Sequence, residues 1–309
     1  MRLKELSAGC LRLPSRIEDL DVTGISSDSR EVKPGYLFIA VPGEKTHGKR
    51  FARAAEKAGA VAVVGEGSGS RRAPGTEDRP DRIPFLEVKD ARLALGDLAA
   101  RFYGRVAERL QVAGITGTKG KTTTAWILDS ILRSAGKVTA LFGTVHHRVG
   151  PRTYPSENTT PGCLYLHGRL NELAGEGGTH AVLEVSSHGI LQQRTAGIPF
   201  RCGIFTNVAP EHLDYHKTFE SYVETKMRFF TDLAPGAFAV IPRDEAASAR
   251  ISARTRARVV WYGSDAGDGV EALRLEPHGM EFRWKGIPVR ARLWGYHNLL
   301  NALGAMAAA

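Results

Sequence analysis

Residues 110–122 read Leu110-Gln111-Val112-Ala113-Gly114-Ile115-Thr116-Gly117-Thr118-Lys119-Gly120-Lys121-Thr122. The first six have the apolar, β-branched content of a buried strand, and residues 123–133 that follow have the content of a helix. Strand, glycine turn and helix in that order make a cradle for phosphate. Glycines let the backbone turn its N–H groups inward, and the helix N-terminus adds positive potential. Lys121 reaches the β- and γ-phosphates, and the Thr122 hydroxyl can hold Mg2+. The spacing Gly-x-x-x-x-Gly-Lys-Thr is not met, because Ile115 stands where its first glycine would be; what is present is the shorter Gly-x-x-Gly-Lys-Thr. The same residues also allow a plainer reading, a tight turn capping a helix beside a solvated lysine.

Outward from this loop, apolar β-rich runs alternate with helical patterns, which predicts an α/β architecture with a mostly parallel sheet. Upstream, residues 36–41 (YLFIAV) predict a strand and 49–59 a helix with Phe51, Ala54, Ala55 and Ala58 on one face. Strands at 60–64 and 83–88 and a helix at 91–103 complete a small N-terminal domain, residues 1–107. The Gly-, Ser-, Pro- and Arg-rich stretch 66–82 predicts a surface loop inside it. Downstream, residues 108–309 form a larger central domain with strands at 138–142, 180–185, 204–208 and 238–241. Residues 259–293 carry short alternating runs such as MEFRW and IPVRARLW, and predict an antiparallel section. The final HNLLNALGAMAAA is a helix pattern that reaches residue 309 without a glycine cap or polar turn, so the ending reads as truncated.

With 309 residues, 42% of them apolar, the chain can bury two cores. A formal charge of +9 suits nucleic acid, a membrane surface or substrates carrying several phosphates. Arg71, Arg72, Arg79, Arg82, Arg250, Arg254, Arg256 and Arg258 are scattered and form no basic helix interleaved with aromatics. That distribution argues against nucleic acid and leaves phosphate-bearing small molecules. Cys10, Cys163 and Cys202 are odd in number and far apart, with no Cys-x-x-Cys spacing, so neither a disulfide framework nor a zinc site is indicated. Lys4 and Glu5 interrupt the stretch in which a signal ending at Cys10 would need its apolar run. No stretch reaches the roughly 18 apolar residues of a membrane span. The reading is a soluble, cytoplasmic protein.

Gly117-Thr118-Lys119-Gly120-Lys121-Thr122 is similar to the ATP loop of the Mur ligases and their folylpolyglutamate synthase relatives. Asn158-Thr159-Thr160-Pro161, Glu184-Val185-Ser186-Ser187-His188-Gly189, and Thr206-Asn207-Val208 followed by His212-Leu213-Asp214-Tyr215-His216 stand in the order of the MurE branch of that family. With Asp28-Ser29-Arg30 near the start, these segments span nearly the whole chain. The resemblance implies an ATP-dependent amide ligase of peptidoglycan precursor synthesis, which adds the third residue, diaminopimelate or lysine, to UDP-MurNAc-L-Ala-D-Glu. In that chemistry the peptide carboxylate attacks the γ-phosphate, and the acyl phosphate is captured by the incoming amine. Lys119 stands where the family commonly has Asn, and His47 where Asp is usual before Gly48.

The resemblance also implies roles for particular residues. Gly117, Thr118, Lys119, Gly120, Lys121, Thr122 and Thr123 take the ATP phosphates, while Asn298 and Asn301, three apart and so on one helix face, take the adenine. Thr122 and Glu184 hold Mg2+; alone, Glu184 reads as a helix-capping or paired carboxylate. His212 matches a ligand of a second Mg2+, though a single His in a polar loop also reads as simply hydrogen-bonded. On the amphipathic helix expected at 219–230, Lys226 alone reads as a solvated side chain or a partner of Glu220 or Glu224. The family pattern makes it the lysine carbamylated by CO2, which turns a cation into an anion with two hard oxygen donors. Ser29 and Glu44-Lys45-Thr46 are assigned to the uridine nucleotide, and Thr159, Thr160, Ser186, Gln192 and Arg194 to the muramoyl peptide. Arg194 suits a bidentate clamp for phosphate or carboxylate, and otherwise reads as a surface arginine.

Two other classes fit parts of the pattern. A folylpolyglutamate synthase-like ligase shares the loop and the lysine, but should lack Asp28-Ser29-Arg30 and the domain around it. A non-ligating P-loop nucleotide-binding or UDP-sugar-binding protein would release no ADP and phosphate in response to peptide and amine. The resemblance also implies a third, C-terminal domain that binds the incoming amino acid and has no counterpart in this sequence, so this chain alone is expected to bind UDP-muramoyl dipeptide and ATP without forming an amide bond.

Overall fold

The computed structural model describes residues 1–43, 46–67, 80, 82–265, 267 and 269–309. The chain divides into two compact units. One comprises Met1–Val106 with Gly162–Gly168 and Gln192–Ile198, and the other Ala107–Pro161, Arg169–Leu191 and Pro199–Ala309.

In chain order the first stretch contributes α1 (Leu3–Ser7), β1 (Gly24–Ser26), β2 (Tyr36–Ala40), α2 (Ala52–Lys57), β3 (Ala62–Glu66), β4 (Phe85–Val88) and α3 (Ala91–Phe102). The four strands pair in sequence order, all parallel. Strand alternation explains why the sheet needs cover on both sides: Leu37 and Ile39 of β2 point into one cluster with Leu95 and Leu98 of α3, while Phe38 and Ala40 point into another with Ala52 and Ala55 of α2. Asp90 caps α3, accepting from the N–H groups of Arg92 and Leu93, and its other carboxylate oxygen accepts from Gln193 Nε2 at 3.2 Å. The expected helix at 49–59 opens as a 3-10 turn, Gly48–Phe51, with His47 Nδ1 accepting from Lys49 N–H at its N-cap. The imidazole thus does locally what an Asp would do there. Most of the expected loop at 66–82 lies outside the described residues.

The second stretch runs β5 (Gln111–Thr116), α4 (Lys121–Ser134), β6 (Thr139–Phe142), β7 (His146–Val149), β8 (Arg152–Pro155), α5 (Cys163–Gly175), β9 (His180–Glu184), α6 (Ser187–Leu191) and β10 (Cys202–Phe205). It continues with α7 (Leu213–His216), α8 (Phe219–Thr231), β11 (Phe238–Pro242), α9 (Ala246–Arg254), β12 (Arg258–Tyr262), β13 (Val270–Glu276), β14 (Gly279–Trp284), β15 (Ile287–Ala291) and α10 (Tyr296–Ala308). Eight strands form one sheet in the order β12-β11-β10-β5-β9-β6-β7-β8. The first six are parallel and the last two turn antiparallel. Ile115, Leu141, Val182, Ile204 and Val240 bury one face against Ala125 and Leu128 of α4 and Leu299 and Leu303 of α10. The expected mostly parallel α/β fold with a short antiparallel section is what the chain forms.

Two details differ from the sequence reading. The antiparallel section starts at β13 rather than at residue 259, because β12 extends the main sheet in parallel with β11. The hairpin β7–β8 was not foreseen; it turns at Gly150-Pro151 and adds an antiparallel edge. No helix among the described residues is long and apolar enough to cross a membrane.

A buried ion pair fastens the hairpin to the helix that follows the glycine loop. Asp129 on α4 accepts from Arg148 Nη2 of β7 at 2.5 Å and from Thr139 Oγ1 of β6 at 2.6 Å, and Arg148 Nη1 donates to Gly150 O at 2.9 Å. Both side chains are largely withdrawn from water. Removing one partner strands the other charge, so Arg148→Met is expected to cost about 3–5 kcal/mol of stability in denaturant unfolding. The double variant Arg148→Met/Asp129→Leu should recover most of that loss; equal losses in both variants would contradict the account.

Candidate functional site

The order of the large sheet decides where a site can form. From β5 the chain first crosses to one side, towards β6 and β9, and later returns to the other side at β10. Loops leaving β5, β9 and β10 therefore diverge around a crevice at their carboxyl ends, the usual ligand position in open α/β sheets. The Gly117–Gly120 turn occupies that crevice and leads into α4 at Lys121.

Gly120 adopts φ +86°, a left-handed conformation that favours glycine, and a Cβ there would lie 2.2 Å from Asn301 Oδ1. A Cβ on Gly117 would lie 1.9 Å from Thr206 Oγ1. The chain needs this closeness because the segment after β10 clasps the loop. Thr206 Oγ1 and Asn207 Nδ2 donate to Lys119 O at 2.6 and 3.0 Å. Lys119 N–H donates back to Asn207 Oδ1 at 2.9 Å, and Thr118 N–H donates to Asn207 O at 2.9 Å. The Thr118 hydroxyl lies 3.2 Å from the Tyr222 hydroxyl. Lys119 points outward to Glu211, at 2.8 Å. Thr123 is half-buried in the first turn of α4. Across the loop, Asn301 Nδ2 donates to Asn298 Oδ1 at 3.2 Å, so α10 does bring the two asparagines onto one face.

Two lysines converge on one carbonyl. Lys121 Nζ donates to Gly117 O at 3.0 Å and to Thr118 O at 2.9 Å, and Lys226 Nζ from α8 donates to Gly117 O at 2.7 Å. Lys226 is 2% exposed, with its ammonium 4.4 Å from the centre of the Tyr222 ring. Its pairing with Glu220 or Glu224 does not occur: those carboxylates take Arg250 and Arg254 of α9 instead. Burial, then repulsion from Lys121, pulls the Lys226 amine down to about 7 against the opposing attraction of Glu211. Burial also lowers Lys121.

Glu184, at the end of β9, is 1% exposed and is held by neutral donors alone among its recorded hydrogen bonds. Its Oε1 accepts from Thr144 N–H at 3.0 Å, and Oε2 accepts from Thr122 Oγ1 at 2.9 Å and Thr144 Oγ1 at 3.1 Å. Thr144 Oγ1 lies 3.1 Å from Thr159 Oγ1. Thr160 Oγ1 donates to Glu184 O at 2.9 Å and accepts from Ser186 N–H at 2.9 Å. Thr122, Glu184, Thr159, Thr160 and Ser186 thus form one connected set.

His212 precedes α7 in the left-handed region, φ 56° and ψ 36°, half-exposed and 3.7 Å from Glu211. Its ring meets His188 edge to face at 5.0 Å. Among the described residues no group of three or more His, Cys, Asp and Glu side chains forms a metal cage. A buried carboxylate beside a threonine hydroxyl is nevertheless the donor set that suits Mg2+, which takes one or two protein oxygens and completes its shell with water and phosphate.

In the first unit, Ser29 is half-buried between Asp28 and Arg30, whose side chains fork together with Arg30 Nε 2.9 Å from Asp28 Oδ1. Thr46 accepts from Gly43 N–H through its carbonyl at 3.1 Å. Glu44 and Lys45 lie outside the described residues. Arg194 uses its fork on Gln192 Oε1, at 2.9 Å from Nε and 2.8 Å from Nη2, so these two candidates are paired with each other.

Thr144 and Tyr222 were not singled out from the sequence, and Thr206-Asn207 carried no assigned role. A signal for Thr144 existed: Gly143-Thr144 follows a parallel strand at the same sheet edge as the glycine loop. For Tyr222 the relevant fact, that it sits one helical turn before Lys226, has meaning only once Lys226 is known to face inward.

Comparison with known proteins finds relatives of both stretches of the chain. The description "Mur ligase middle domain" matches residues 115–309, and "Mur ligase family, catalytic domain" matches 21–103. A UDP-N-acetylmuramoyl-L-alanyl-D-glutamate–2,6-diaminopimelate ligase of Geobacter metallireducens is 38% identical over 94% of this chain and 57% of its own length. A solved structure of an enzyme with that name superposes with TM-score 0.83 and 25% identity over 100% of this chain and 63% of that one. A folylpolyglutamate synthase of Mycobacterium tuberculosis shares the fold only, with TM-score 0.55 and 18% identity over 70% of this chain and 58% of that one. The chain spans 57% to 63% of the length of the curated relatives it matches. With its middle-domain match covering more than half of the sequence, the chain belongs to the Mur ligase family.

Proposed function

We propose that the chain carries the nucleotide and muramoyl-peptide sites of a cytoplasmic ligase that adds diaminopimelate or lysine to UDP-MurNAc-L-Ala-D-Glu at the expense of ATP. The observation that carries this reading is the meeting of Lys121 and Lys226 on the Gly117 carbonyl, flanked by the Thr122–Glu184 pair. Positive charge and hard oxygen donors stand together where phosphate would enter the loop. The curated relatives named for that reaction support the substrate assignment.

In this reading the N–H groups of residues 117–123 and the Lys121 ammonium receive the β- and γ-phosphates, and Asn298 and Asn301 receive the adenine. Thr122 and Glu184 would hold Mg2+, with His212 and a carbamate on Lys226 holding a second, and such ions neutralise charge on the transferring phosphoryl group. Ser29 with Glu44, Lys45 and Thr46 takes the uridine nucleotide, and Thr159, Thr160, Ser186, Gln192 and Arg194 take the muramoyl peptide. A peptide carboxylate oxygen attacks the γ-phosphorus as its bond to the bridging oxygen of ADP breaks. The amine of the incoming diamino acid then attacks the acyl carbon, sheds a proton and displaces phosphate. These residues orient the reactants.

The low proton affinity of Lys226 makes carbamylation chemically accessible. Near neutrality a large share of its amine is unprotonated, and that form adds CO2 with loss of one proton. Labelled bicarbonate is expected to give a carbamate carbon-13 signal in the wild type and none in Lys226→Met; a bare amine at saturating bicarbonate counts against the assignment.

Without bicarbonate, the buried ammonium makes the native state bind its proton less tightly than the unfolded chain does. Stability from this group is therefore present above the ordinary value of 10.5 and is lost as pH falls to about 7. Lys226→Met should raise the melting temperature over wild type most at pH about 6.5, and less at about 9.5. A difference independent of pH would contradict this.

Lys121→Ala should weaken Mg-ATP binding in calorimetry by roughly 10-fold to 100-fold, the loss of a charge-assisted contact to phosphate, in a variant that still unfolds cooperatively. Unaltered affinity would remove the nucleotide assignment. The reaction itself is tested on the full-length protein, as release of ADP and phosphate that requires both UDP-muramoyl dipeptide and diamino acid.

A further inference from the structure

Thr144 is in hydrogen-bond contact with both Glu184, at the phosphate end of the crevice, and Thr159, at the end assigned to the peptide. The turn that carries it is built against the carboxylate. A Cβ on Gly143 would lie 2.0 Å from Glu184 Oε1, so glycine lets the backbone come close enough for Thr144 N–H to donate to that oxygen at 3.0 Å. Ser156 Oγ donates to Gly143 O at 2.7 Å and pins the turn from the far side. Thr144 itself is exposed at the surface of the crevice.

A hydroxyl has one proton to give. Glu184 as a carboxylate only accepts, so the Thr144 proton points at Oε2, and the Thr159 hydroxyl completes the chain by donating to Thr144. In that arrangement Thr159 has no proton left for a ligand oxygen. A divalent cation drawing on Glu184 makes the carboxylate a poorer acceptor. The Thr144 proton is then free to turn towards Thr159, whose own proton becomes available to an acidic group of the peptide. Resting on the functional reading above, we infer that Thr144 is a positioning residue whose single hydroxyl proton couples the two ends of the site, so that bound Mg-nucleotide strengthens binding of the acidic muramoyl peptide. By linkage the peptide strengthens nucleotide binding by the same factor.

The test is a binding cycle by calorimetry on this chain, with UDP-muramoyl-alanyl-glutamate and the Mg2+ complex of a non-hydrolysable ATP analogue. In the wild type, peptide affinity should rise about fivefold or more with the analogue saturating, and the reverse titration should return the same factor. Thr144→Val keeps the backbone donor to Glu184 and removes the hydroxyl; its coupling factor should fall to about one. Thr144→Ser should restore it, which a purely steric role for the threonine would not predict. If the valine variant shows no cooperative unfolding transition, Thr144→Ala serves the same comparison. Binding of both ligands with no coupling in the wild type, or with coupling that survives loss of the hydroxyl, overturns the inference and leaves the functional reading standing. A wild-type chain that binds neither ligand overturns both.

Discussion

Two lysine ammonium groups, Lys226 buried and Lys121 half-buried, share one backbone oxygen, and the rest of the crevice is arranged around them. Lys121 and Lys226 both donate to Gly117 O, and nothing within their recorded hydrogen bonds neutralises them with a carboxylate. Placing two like charges together under cover is costly. Burial lowers the proton affinity of both amines, and repulsion from Lys121 lowers that of Lys226 further. Such a concentration of positive potential favours an anion, or chemistry that removes one of the charges, and the proposed function uses both.

The loop can bear this strain because it is braced from separate elements. Asn207 and Thr206 hold its outer carbonyls and amides, Tyr222 meets the Thr118 hydroxyl, and Asn301 lies where a side chain on Gly120 would otherwise be. These contacts come from the end of β10, from α8 and from α10, which the sheet order brings around β5. A rigid cradle limits the reorganisation that binding requires, and pre-organised donors are what phosphoryl transfer asks of a protein.

The antiparallel hairpin has a part in this as well. Its root, Gly143-Thr144, closes on Glu184, while Arg148 in β7 anchors to Asp129 on the same helix that the glycine loop begins. One end of α4 therefore meets the proposed phosphates, and its middle is tied to the element that presents Thr144.

The sequence by itself determined what short-range periodicity and local chemistry encode. The strand–glycine–helix order at 110–133, the parallel α/β character, and the helix face shared by Asn298 and Asn301 were all legible, since each depends on neighbours within a few residues. The motif segments also pointed to the family. Tertiary structure alone decided the rest. Lys226 on an amphipathic helix reads as a surface lysine until the register of α8 turns it inward and Arg250 and Arg254 claim the carboxylates that would have paired with it. Glu184 reads as a cap or an ion-pair partner until β9 lands beside β5 and brings three neutral donors to it. For Thr144 the local pattern, a Gly-Thr pair after a strand, marks a position and not a role, because the role inferred for it needs a hairpin root, a strand end and a glycine loop, far apart in sequence, to meet at one edge of a sheet. Side-chain direction is set by packing against distant elements, and a linear pattern does not contain the order in which strands assemble.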